Sequence, residues 1–178
     1  MVRLENKSTM KFTKKQIERY SRQIILKKIG VIGQKKLLKS SVLIVGAGGL
    51  GSPIAIYLAA LGLGKIGIVD KDNVKLSNLS RQIIFSTNDL KKEKSKVAIS
   101  KLRKINPDIK LKSFKKKLNE NNIDQIAKKF SIIVDGSDNF RTRFLVNDYC
   151  LKNKKILISG AINKFDGQVY TFNFSKKN

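Results

Sequence analysis

The 178-residue sequence has no histidine and a single cysteine, Cys150. Without histidine no Ser/His or Cys/His hydrolytic pair can be assembled; one thiol excludes an internal disulfide, and with no histidine beside it the usual zinc ligand sets are missing. Cys150 sits among apolar residues of an expected helix and reads as core rather than nucleophile. Acidic residues are also scarce: 13 Asp and Glu stand against 38 Lys and Arg, a formal charge of +25. Such a lysine surface attracts polyanions whatever their sequence. The excess is spread along the chain beside abundant Ile and Asn, however, which suits a compositional bias better than a dedicated nucleic-acid face. The segment Met1 to Phe12 has no apolar core of a signal peptide and is expected to be a disordered basic leader of a cytoplasmic protein. The 41% hydrophobic content suits one globular domain over residues 13–178.

What is present is organised around Ser41 to Asp70, SVLIVGAGGLGSPIAIYLAALGLGKIGIVD. No residue from Ser40 to Gly64 is charged, long enough for a membrane span by length alone. Four glycines and Pro53 within eight residues argue against one continuous helix. The segment reads instead as a buried strand, Ser41 to Val45, a glycine turn, a helix, and a second strand, Lys65 to Val69, ending on Asp70. Gly46, Gly48 and Gly51 occupy the G-x-G-x-x-G positions of a βαβ nucleotide-binding unit, where bare backbone approaches a phosphate and the next helix aims its free amides at it.

Before this unit, the pattern predicts a helix from Thr13 to Lys28, with Thr13 as N-cap, broken by Gly30 and Gly33, and a short second helix from Gln34 to Lys39. After it, KDNVKLSNLSRQIIF is irregular, and Asp89 to Ile105 predicts a helix stopped at Asn106-Pro107. A strand around Ile109 to Ser113, a helix from Asn122 to Phe130, and a strand from Ser131 to Val134 follow. Next come a helix from Asn139 to Lys152, a strand from Ile156 to Ser159, and an antiparallel one from Gln168 to Phe174. The alternation predicts an α/β fold: a Rossmann-like, doubly wound, mostly parallel sheet (core 40–178) covered on both faces, preceded by an N-terminal helical arm (13–39).

In such a sheet the glycine turn, Asp70 to Arg81 and Asp135 to Asn139 share the rim at the carboxyl ends of the strands. Asp70 is placed to accept hydrogen bonds from ribose hydroxyls, and Arg81 can fork onto phosphate oxygens, with Asn78 and Gln82 beside it. Lys94 and Lys96 lie in a lysine-rich helix, and sequence alone does not choose between them. Asp135 and Asp138, three apart, could hold Mg²⁺ through carboxylate and waters, or simply form a turn.

The segments RYSRQIIL, VLIVGAGGLGSP, IVDKDNVKLSNLSRQIIF, KINP, VDGSDNFRTR and SGAINKFDGQVYTF run from Arg19 to Phe174. In that order they resemble the adenylyltransferases of the MoeB/ThiF type, bacterial relatives of ubiquitin-activating enzymes, which activate ubiquitin-like sulfur carrier proteins in molybdopterin and thiamine biosynthesis. The resemblance implies ATP and Mg²⁺ as cofactors and a ThiS-like or MoaD-like carrier whose C-terminal glycine carboxylate attacks the α-phosphate. It implies nucleotide contacts from Gly48, Gly49 and Asp70, from the segment Ser77, Asn78, Leu79, Ser80 and Arg81, and from Asn139. By spacing, Lys94 takes the family's essential lysine position, with Lys96 as fallback, and Asp138 the Mg²⁺ position. Arg22 matches an arginine that enters the partner's site, which implies a homodimer. Family members also carry a zinc site built from two C-x-x-C pairs, whose ligands this sequence lacks; the carrier-binding half is accordingly expected to be missing. The competing readings are a tRNA-modifying dehydratase of the same superfamily, an NAD-dependent dehydrogenase sharing the glycines and Asp70, and an inactive nucleotide-binding remnant.

Overall fold

The computed structural model describes residues 11–175, so most of the expected leader lies outside the described residues. The chain enters through α1 (Lys14–Ile24). Thr13 caps it reciprocally: its hydroxyl accepts from the Gln16 amide at 3.2 Å, and the Gln16 side chain accepts from the Thr13 amide at 3.1 Å. The helix stops four residues short of the expected Lys28, and α2 (Gly30–Lys39) starts at the glycines meant to precede it. Gly30 takes a φ of +58°, a left-handed turn open to glycine, and so reverses the chain into the helix instead of separating two.

Six strands form one sheet in the order β3-β2-β1-β4-β5-β6: β1 (Ser41–Val45), β2 (Lys65–Val69), β3 (Lys110–Phe114), β4 (Ile132–Asp135), β5 (Ile156–Asn163) and β6 (Asp166–Asn173). The first five are parallel and β6 runs antiparallel to β5, as expected. Strand β1 is buried on both sides. Val42 and Ile44 pack with Ile66 and Ile68 beneath α3 (Gly51–Ala60) and α4 (Lys94–Ile105). Leu43 and Val45 face the opposite layer, where Ile126 of α5 (Ile123–Ala127) and Val146 and Cys150 of α6 (Phe140–Lys152) close the core. Each such Leu or Ile, fully buried, contributes about 1.5–3 kcal/mol. The uncharged stretch is thereby divided into strand, turn and helix, and no described helix is long and apolar enough to cross a membrane.

Expectations are corrected in the crossover to β3 and at β4. The helix predicted from Asp89 begins only at Lys94. Residues 90–93 are drawn away by pairing with the segment after β2: Val74 donates to the Lys92 carbonyl and the Lys91 amide to that of Val74, both at 2.9 Å. Asp89 instead closes a single 3-10 turn (Thr87–Asp89), accepting from the Ser86 amide and hydroxyl at 2.8 Å each and pairing with Lys101. Burial pushes its carboxyl upward, but the bonds from Lys101 and Ser86 outweigh that and hold it below the usual value. The second correction is at β4, which runs one residue past Val134 and takes Asp135 into the sheet.

The arm is tied to this core at one buried point. Tyr20 is fully buried, and its hydroxyl accepts from the Asn106 side chain at 2.9 Å, which also donates to the Ala59 carbonyl at 2.9 Å. Ile17 on α1 and Ile25, which caps its C-terminus, are by contrast exposed. At the opposite edge every residue of β6 is exposed.

Candidate active site

The sheet order reverses between β1 and β4, and at such a switch point the loops leaving the two strands diverge to opposite faces and open a crevice. A cleft of about 580 Å³ lies there, within the range of small-molecule sites. Its floor is the glycine turn after β1. Gly46 has a φ of +91°, and a Cβ on Gly51 would stand 1.9 Å from the Gly46 carbonyl oxygen, so the tight entry into α3 needs glycine at both places. The N-terminus of α3 has no side-chain cap; the Ser52 amide donates to the Gly48 carbonyl at 2.9 Å and Pro53 has no N–H, so an anion at this end of the dipole would meet chiefly the amides of the turn at Gly48 and Gly49.

Asp70, at the end of β2, lines the same cleft and braces its floor: Oδ2 accepts from the Ala47 amide and Oδ1 from the Asp72 amide, each at 2.8 Å. A carboxylate has about four acceptor positions, so two remain for ribose hydroxyls. Arg81 flanks Gly49, its side-chain carbons 3.7 Å from where a Cβ would sit there, and it donates to the Ser77 carbonyl at 3.1 Å. The rest of its segment does not line the cleft: Ser77, Asn78, Leu79 and Ser80 shape the turn that presents Arg81, with the buried Asn78 accepting from the Lys75 amide at 3.1 Å.

The two candidate lysines part company. Lys94, the first residue of α4, lines the cleft with its side chain 7% exposed and its ammonium 3.8 Å from Asp72. Lys96 is outside the cleft, 69% exposed and paired with Glu93 at 3.0 Å. Asp138 and Asn139 line the wall formed after β4; Asn139 also caps α6, accepting from the Thr142 amide at 2.9 Å. Asp135, expected to share a cation with Asp138, does not reach the cleft: it is 1% exposed, and both its oxygens are occupied by neighbouring hydroxyls and an amide. Arg22 is exposed on α1 and likewise does not line the cleft of its own chain.

Among the described residues there is no cluster of three or more potential metal ligands. A lone exposed carboxylate such as Asp138 fits Mg²⁺, which is bound by one or two carboxylates with substrate phosphates and water rather than by a protein cage. Zinc finds no fit in this sequence, which has no histidine and whose one cysteine is buried, its thiol pushed up to about 12 chiefly by that burial. Several cleft residues were not singled out in the sequence: Asp72, Lys116, Lys117 and Arg141. Lys116 and Lys117 follow β3, whose carboxyl end lies on the same rim, so strand order was the signal that could have found them.

Residues 20–178 match the ThiF family. The chain is 49% identical over 156 residues to the probable molybdopterin-synthase adenylyltransferase of Porphyra purpurea, covering 88% of this chain and 41% of that protein. It is 44% identical over 163 residues to the sulfur carrier protein adenylyltransferase of Thermus thermophilus, covering 92% of this chain and 60% of that protein. Among solved structures, that of E. coli MccB with ATP superimposes with a TM-score of 0.74 at 30% identity, covering 80% of this chain and 44% of that one. The chain thus spans only about two to three fifths of the length of these relatives.

Proposed function

The chain belongs to the ThiF family, and from that membership we propose that it adenylates the C-terminal glycine carboxylate of a ubiquitin-like sulfur carrier protein, consuming ATP and releasing pyrophosphate. The observation that carries this reading is the convergence of the glycine turn, Asp70, Arg81, Lys94 and Asp138, from four separate segments, on one cleft at the switch point. The names of the relatives, which specify sulfur carriers and molybdopterin synthase, support the same substrate class.

In the reaction a carboxylate oxygen bonds to the α-phosphorus while the bond to the β-phosphate bridge breaks, its electron pair leaving with pyrophosphate. Both partners are anionic, so the protein's task is to hold them in line and offset the charge. Asp70 orients the ribose, and the amides at Gly48 and Gly49 take phosphate oxygens. Arg81 and Lys94 face the charge that grows on the bridging and non-bridging oxygens. Asp138 would hold Mg²⁺ through carboxylate and water, and the ion would supply further neutralisation of the phosphates. No step requires a side chain to form a covalent bond or carry a proton, which is compatible with a sequence free of histidine. Arg22, exposed on α1, is assigned to the site of a second copy, making the active form a homodimer.

Carrier-dependent exchange of pyrophosphate into ATP tests the assignment. Arg81→Ala and Asp138→Ala should each lower it by about 10²–10³, the scale of removing one preorganised charge-stabilising group. Full exchange in both variants would contradict the proposal.

A further inference from the structure

Asp135 is a buried carboxylate that the reaction does not use. Its Oδ1 accepts from the Ser137 amide at 3.0 Å and the Ser137 hydroxyl at 2.6 Å, and its Oδ2 accepts from the Ser159 hydroxyl at 3.0 Å. The Nε of Arg143, on α6, stands 3.3 Å from that same Oδ2, not aligned for a hydrogen bond but close enough to offset its charge. Arg143 then donates through Nη2 to the carbonyls of Ser137 and Gly160, both at 3.1 Å. Ser137 is therefore held at its amide, its hydroxyl and its carbonyl by one ion pair that also grips β5 at Ser159 and Gly160.

The next residue is Asp138. Its side chain is exposed in the cleft, and its one side-chain hydrogen bond among the described residues is a long one, accepted from the Asn139 side-chain Nδ2 at 3.4 Å. The aim of that carboxylate is thus set by the backbone beneath it. We infer that Asp135 and Arg143 are positioning residues, which clamp Ser137 between β4 and β5 so that Asp138 meets the triphosphate and its Mg²⁺ in a fixed orientation. The inference rests on the ATP reading above. An arginine is required because a planar fork can face a carboxylate and two carbonyls together, whereas a lysine offers a point charge.

The test uses the full chain with Arg143→Lys and Ser137→Ala, and three readouts. Amide exchange at Ser137 and Asp138 in the nucleotide-free protein should accelerate in Arg143→Lys while the melting temperature stays near that of the parent. With an ATP analogue carrying a methylene between the α- and β-phosphates, the apparent Mg²⁺ affinity should fall in both variants by about tenfold, the scale of losing a supporting contact to a metal-binding group. Binding of ADP without Mg²⁺ should not change, which separates a local clamp from general damage. Unchanged exchange at Ser137 in Arg143→Lys, unchanged Mg²⁺ affinity in both variants, or a parallel loss of Mg²⁺-free binding would each overturn the inference. Failure of the parent chain to bind nucleotide would overturn the ATP reading instead, and the exchange data would still decide whether the clamp exists.

Discussion

The ammonium of Lys94 and the carboxylate of Asp72 stand 3.8 Å apart at the wall of the cleft, with the lysine side chain 7% exposed and the aspartate's 51% exposed. A buried ammonium whose one counter-ion among the described residues is partly solvated is poised to exchange that partner for a better one. A triphosphate in the cleft would be such a partner, and Asp72 can turn to water as it leaves.

Lys94→Ala is accordingly expected to lower carrier-dependent pyrophosphate exchange by about 10²–10³. Lys96→Ala, which removes an i,i+3 pair between an exposed ammonium and Glu93, should change it less than about twofold and leave stability close to that of the parent. Exchange assays on the two variants side by side check this, and equal losses would remove the distinction that burial draws between them.

Replacing Asn106 by alanine should loosen the N-terminal arm. The change strips a buried donor from both the Tyr20 hydroxyl and the Ala59 carbonyl. An expected loss of about 1–3 kcal/mol reflects acceptors left unpaired in the interior. Denaturant unfolding measures the loss, and proteolysis between α1 and α2 should rise alongside it. A variant as stable as the parent would show that water replaces the amide at no cost.

Alkaline conditions should destabilise the fold through α6. Burial pushes the Cys150 thiol up to about 12 from an ordinary 9.0, and burial, then the hydrogen bond to Asp124, pushes the Tyr149 phenol up to about 12 from 10.0. Both groups keep protons in the folded chain that the unfolded chain releases above pH 9 to 10. Stability from these two groups is therefore complete below pH 9 and declines as pH rises toward 12. Urea unfolding across that interval checks the slope, which Cys150→Ala should reduce. At neutral pH the native thiol should resist alkylation until the chain is unfolded.

Much of this protein was legible from local pattern alone. The apolar run Ser41 to Val45, the glycines after it and Asp70 after the next strand specify a βαβ unit, because strand burial, turn conformation and helix start each depend on neighbours within a few residues. The alternation that follows sets a parallel sheet, and with it the rim on which Gly48, Asp70, Arg81 and Asp138 meet. Contacts between distant segments decided the rest. Residues 90–93 leave the expected helix because their backbone pairs with Val74, and Lys94 rather than Lys96 turns into the cleft because the helix begins where that pairing ends. Asp135, alike in sequence to Asp138, is held out of the cleft by Arg143 and Ser159, partners 8 and 24 residues away that only the assembled sheet and helix bring to it. Periodicity reports which face of an element is apolar, but the identity of the group across from a polar side chain is a property of the packed chain.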